Sequence, residues 1–151
     1  MSSSIQTPES VLETPLSREE LRARILIAKC ARHQGMYTYT DLNRDARLGL
    51  DFTIPENRGK LGHLLGRISY VEVKGYGRPM LSSVVITKTG SYHGKGFFDL
   101  ATKLYPNKDC SDETFGFEEM RKTHKFWKSD EGLAQIQKWQ EEYNIMVAHT
   151  K

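Results

Sequence analysis

The stretch TIPENRGKLGHLLGRISYVEVKGYGRPMLSSVVITK, Thr53 to Lys88, decides the fold because its periodicity changes partway along. Thr53 reads as an N-cap, Pro55 falls in the first helical turn and Glu56 is the acid that completes the cap, so a helix opens there. Leu61, Leu64, Leu65 and Ile68 give it one apolar stripe. Gly59, Gly62 and Gly66 lie inside that helix, where each glycine costs about 1 kcal/mol relative to alanine. Such a cost implies that something approaches that surface closely: another backbone, a ligand or nucleic acid. After Ser69 the pattern becomes that of strands. YVEVK alternates, GYGRP supplies turn residues and MLSSVVITK is rich in β-branched residues, which together predict a β-hairpin.

Upstream of this stretch, SREE at Ser17 to Glu20 makes a capping box, and Leu21, Ile25 and Ala28 put one face of the following helix in a core. Gly35 is placed to stop that helix in the left-handed conformation. TYTD, Thr38 to Asp41, caps a short second helix that runs to Leu48 and closes at Gly49. Three helices followed by a hairpin is the order of a winged helix. Downstream, GSYHGKG is a loop, with HGKG a small candidate anion nest, and it opens a helix, FFDLATKLY, stopped by Pro106. Two further helices are predicted from Glu113 to Trp127 and from Asp130 to Tyr143, the latter capped by Ser129. The expected fold is therefore α+β and mostly helical: a flexible tail over residues 1–16, a winged helix over 17–105 and a helical C-terminal extension over 106–151 packed on it.

Charge points to a partner. The chain carries a formal +3, but the segment from Arg18 to Lys95 holds 14 Lys and Arg against 7 Asp and Glu, and the rest is acidic. A basic domain of this size attracts a polyanion, of which nucleic acid is the commonest. In a winged helix the elements facing a duplex are the second and third helices and the wing. They carry Arg44 and Arg47, then Arg58, Lys60 and Arg67, then Lys74 and Arg78, with Lys95 on the HGKG loop. Lys and Arg would hold phosphates, while Asn43 and Asn57 could read base edges.

TYTDL, RGKLGHLL, RPMLSSVVI and GSYHGKGFF, in that order and spacing, resemble the DNA-binding domain of the alkylguanine alkyltransferases and their non-enzymatic alkyltransferase-like relatives, over about half of the chain from Glu19 to Phe98. The resemblance implies double-stranded DNA as partner and makes Tyr39 the side chain that rotates a nucleotide out of the stack. It aligns Gly59 with the family's intercalating arginine and Met80 with its reactive cysteine, and Leu81 and Ser82 with the His and Arg that follow. Alkyl transfer to sulfur is thereby removed, and a binding relative is implied rather than a repair enzyme.

Other function classes find less in the sequence. A metal-dependent nuclease would use Asp51 with Glu72 and Lys74, but Asp51 precedes a helix instead of sharing a strand with Glu72. Cys30 and His33 stand one turn apart without further ligands, and the remaining histidines lack zinc-like spacing. No catalytic residue, metal or cofactor is expected. The aromatic C-terminal region, with Phe115, Phe117, Phe126, Trp127 and Trp139, either packs as core or offers anchors to a protein partner or second subunit, which is the alternative reading of a small interaction module. Two cysteines without a paired motif, and no apolar run of membrane length, point to a reducing interior, cytoplasmic or nucleoid-associated, or nuclear in a eukaryote.

Overall fold

A computed structural model of the chain describes residues 11–87 and 92–149. The elements run α1 (Arg18–Arg32), β1 (Tyr37–Thr38), α2 (Tyr39–Asp45), α3 (Pro55–Tyr70), a π turn (Val71–Gly75), a 3₁₀ turn (Leu81–Val84), β2 (Val85–Ile86), α4 (Lys95–Leu104), α5 (Glu113–Lys128) and α6 (Asp130–Ala148). The fold is mostly helical with a small sheet, as its sequence predicts. α1 lies at the centre, packed against α5 and α6, the 3₁₀ turn, α2 and α3.

Local signals explain most of the boundaries. Both halves of the Ser17 capping box form: Ser17 Oγ accepts from the Glu20 N–H at 3.1 Å and the Glu20 carboxylate from the Ser17 N–H at 2.7 Å. Thr38 Oγ1 caps α2 by accepting from the Asp41 N–H, and Ser129 Oγ caps α6 by accepting from the Gly132 N–H. Two stops differ from expectation. α1 is closed by Gln34, whose φ is 62°, with Gly35 N–H reaching back to Cys30 O; α2 ends at Asp45, and Arg47 takes a φ of 55° before Gly49 does the same at 69°. At α3 the N-cap is Ile54, which has no side-chain cap, because Thr53 is turned back onto the Asp51 carboxylate.

The expected hairpin is not formed. Tyr70 to Gly75 continues α3 as a π turn, and β2 pairs with β1 in parallel, Tyr37 opposite Val85 and Thr38 opposite Ile86. The alternation of YVEVK misleads because Val71 and Glu72 are both buried, and the apolar series Leu61, Leu65, Ile68 continues at helical spacing into Val71. Glu72 is drawn inward by two guanidiniums: Arg24 Nη2 donates to Oε2 at 2.6 Å and Arg78 Nε to Oε1 at 2.7 Å. The Val84–Ile86 run is buried throughout, as a short parallel strand requires when both its faces are covered.

The C-terminal aromatics belong to the core. Phe115, Trp127 and Trp139 are 2% exposed or less, and the two indoles lie 5.3 Å apart. Arg24 stacks over Trp139 at 3.9 Å and Arg78 over Tyr76 at 3.8 Å, so the buried cations rest on aromatic faces as well as on Glu72. These aromatic rings are therefore used in folding and are withdrawn as anchors for a partner. Of the five that the sequence singles out, Phe117 alone is among the exposed large apolar residues.

Candidate functional site

α3 is held at an angle set by the loop from α2. Asn43 clamps Leu50, with Nδ2 donating to Leu50 O at 2.7 Å and Oδ1 accepting from Leu50 N–H at 3.0 Å. Asn57 Nδ2 donates to Asp51 O at 2.8 Å and is 8% exposed. Asn43 is thus committed to the turn through both amide atoms, and Asn57, nearly buried, through its Nδ2, which corrects their expected role as base readers: these contacts build the platform instead.

The platform leaves Arg58, Gly59, Lys60 and His63 exposed along one edge of α3. A Cβ built on Gly59 or Gly62 would meet no atom of a described residue within 4 Å, whereas one on Gly66 would touch Leu100 Cδ2 at 3.7 Å. No packing partner explains the first two glycines, so their helical cost buys nothing inside the described structure.

A cavity of about 490 Å³ opens beside this edge, within the range typical of ligand sites. Gly59, Gly62 and Gly66 of α3 form one wall, and Gly94, Lys95 and Gly96, where α4 begins, form the facing one. Leu65, Val85, Phe97 and Leu100 supply apolar surface, while Tyr39, Arg58 and His63 add polar groups. Burial pushes the Tyr39 phenol above its ordinary value, against the opposing pull of the nearby Arg58 charge. Its hydroxyl lies 3.6 Å from where a Cβ on Gly94 would stand, so the tyrosine reaches from the start of α2 to the start of α4.

The α4 wall is fastened by a histidine. His93, 1% exposed, has Nε2 2.6 Å from Ser83 O, which can only accept, so that nitrogen is the donor there; Nδ1 lies 2.6 Å from Glu113 Oε1. Phe97 stacks on the ring at 4.5 Å. The sequence marks His93 only as the first residue of the HGKG nest, and it does not pair it with Glu113, because an acid 20 residues later carries no spacing signal. His63 also lines the cavity and carried no spacing signal, and Ser82, which stands where the resemblance puts an arginine, lines it too.

The other expected residues divide. Lys60 and Lys74 are exposed. Lys95 lines the cavity and pairs with Asp99 at 2.9 Å, both largely in solvent. Arg44 is exposed between Asp41 and Asp45, which offset its charge. Arg67 is turned inward onto Glu20 at 2.6 Å and onto Thr14 O and Pro15 O. Arg78, expected on a wing, is 8% exposed and bound to Glu72, so it reaches no duplex. Arg47 joins a separate cluster.

Met80, at the position aligned with a reactive cysteine, is fully buried, and its N–H donates to Glu119. Glu72 is sealed between two arginines and Asp51 is exposed and accepts from Thr53, which removes the pairing that a nuclease would need. Among the described residues no group of three His, Cys, Asp or Glu side chains could hold a metal, and no helix is long and apolar enough to cross a membrane. No family model matches the chain, and neither a curated protein nor a solved structure matches it.

Proposed function

We propose that the chain binds double-stranded DNA along the exposed edge of α3 and performs no chemistry on it. The carrying observation is the bare glycine face. Gly59 and Gly62 destabilise α3, no described residue fills the space over them, the cation Arg58 and the imidazole of His63 flank that space, and Lys60 is exposed further round the same helix. A phosphate backbone is the common polyanion able to lie against such a surface, and α3 follows α1 and α2 in the chain order of a helix-turn-helix. A π turn and a 3₁₀ turn stand where a wing hairpin was expected, so in this reading α3 and the start of α4 carry the contact, with Lys95 at the α4 end.

The adjoining cavity is suited to a nucleotide displaced from the stack: apolar walls for a base, cations at the rim for its phosphates, and Tyr39 at the mouth. Support for this comes from the resemblance to alkyltransferase-like DNA-binding domains, in which Tyr39 matches the nucleotide-rotating tyrosine. Met80 leaves a reader without a reactive thiol. Such a protein works where DNA is, in the cytoplasm and nucleoid or in a nucleus.

Fluorescence anisotropy with a random duplex tests the reading. Binding weakens steeply from low to physiological salt, and the Arg58→Ala, Lys60→Ala double variant lowers the slope of log K against log salt by about 2. No binding at low salt, or an unchanged slope in the variant, overturns it.

A further inference from the structure

A second, smaller cavity of about 340 Å³ is lined by Arg18, Arg22, Arg47, Tyr143 and Val147. Its wall brings together three guanidiniums, from α1 and from the loop after α2, with a phenol of α6, and among the described residues no carboxylate lines it. Arg22 organises the group through neutral acceptors alone: Nε donates to Ala46 O at 2.6 Å, Nη1 to the Tyr143 hydroxyl oxygen at 3.0 Å and Nη2 to Arg47 O at 3.4 Å. Its charge is fixed in place without being neutralised.

The two neighbours are set by this arrangement. Because the Tyr143 oxygen accepts from Arg22, the phenolic proton remains to be donated elsewhere. The Arg22 hydrogen bond lowers the phenol, outweighing its burial, and the charges of Arg22 and Arg47 lower it further, which makes it a stronger donor to an anion. Arg47 holds the left-handed backbone conformation at φ 55°, one that L side chains seldom adopt, where a glycine would serve the chain reversal more readily. Among the described residues no carboxylate pairs with Arg22 or Arg47. Like charges gathered with a free hydroxyl donor form a preorganised receptor for an anion, and clustered guanidiniums suit a phosphate in both charge and geometry.

We infer that this cavity binds a phosphate group, held by the guanidinium of Arg47 and by a hydrogen bond from the Tyr143 hydroxyl, with Arg22 positioning both groups and adding its charge. The phosphate is either a free ion or a diester of a nucleic-acid backbone. The site stands apart from the α3 edge in its residues and does not depend on the DNA reading.

NMR titration of the ¹⁵N-labelled full chain with inorganic phosphate, against chloride at equal ionic strength, reads the site directly. The expected result is saturable shifts of the Arg22 and Arg47 Nε–H signals and of amides around Tyr143, at least tenfold weaker in Arg47→Gln and weaker in Tyr143→Phe. Both variants keep the backbone acceptor at residue 47 and the ring at 143, so the fold is retained, and far-UV circular dichroism checks this. Absent shifts, shifts that chloride reproduces, or shifts that survive both variants overturn the inference. A duplex added in competition separates the sources: displacement of phosphate from these signals assigns a backbone diester, and no displacement assigns a free phosphate. Phosphate binding in a chain that ignores duplex DNA would leave this site standing while the DNA reading falls.

Discussion

His93 Nδ1 lies 2.6 Å from Glu113 Oε1, and Oε2 of the same carboxylate accepts from the His93 backbone N–H at 2.7 Å. This double contact ties the residue preceding Gly94 to the first turn of α5, so one wall of the larger cavity is braced by a helix outside it. With Nε2 on Ser83 O, the ring is also joined to the turn before β2. Glycine-rich backbone beside the cavity is thereby held at a fixed distance from α3 without a side chain in the space itself.

Gly116 is the residue that lets this brace form. A Cβ there would sit 2.6 Å from His93 Nδ1 and 2.8 Å from Glu113 Oε1. Gly116→Ala is expected to destabilise the protein by about 1–3 kcal/mol through overpacking, measured as a lower urea midpoint. Gly66→Ala, whose Cβ meets Leu100 at an ordinary 3.7 Å, is the control and is expected to be neutral or stabilising.

Glu72 is fully buried between Arg24 and Arg78. Glu72→Gln leaves two buried guanidiniums without their counter-charge, and a loss of about 3–5 kcal/mol in chemical denaturation is expected. A substitution with no effect on stability would show that the carboxylate has no structural task.

Glu20 links pH to stability. Burial alone would raise its carboxyl, but the hydrogen bond from Arg67, that from the Ser17 backbone and the Arg67 charge outweigh it and hold the group below its ordinary 4.5. The folded state therefore ionises this acid more readily than the unfolded state does. Its contribution is complete above the unfolded value and is lost as pH falls through the folded one. Glu20→Gln is expected to cost about 1–3 kcal/mol near neutrality and to flatten the acid limb of a urea-midpoint profile recorded downward from pH 6. An acid limb of unchanged steepness would show that other carboxylates carry it.

How much of this was legible in the sequence depends on how local each cause is. The capping box at Ser17 and the caps at Thr38 and Ser129 were readable because each is a contact within three residues. The hairpin was misread because Glu72 answers to Arg24, 48 residues away, and a long-range ion pair leaves no periodicity. At the site, the cations and glycines of α3 were visible as composition and spacing. The commitment of Asn43 and Asn57 to the turn, the burial of Arg78 and the His93–Glu113 brace were not, since side-chain partners across loops are set only by the assembled core. Tyr39 was reached through resemblance, and the cavity it lines emerged only when α4 was placed against α3.

The central claim is that the bare glycine edge of α3 is where DNA lies, and Gly62→Leu tests it most directly. A Cβ at that position meets no described residue, and leucine is a far better helix former, so a stable fold is expected, favoured by up to about 1 kcal/mol. The decisive measurement is the duplex-binding midpoint of this variant by anisotropy at low salt. The account predicts at least a tenfold weaker midpoint in a protein no less stable than the parent, whereas binding equal to the parent would contradict it.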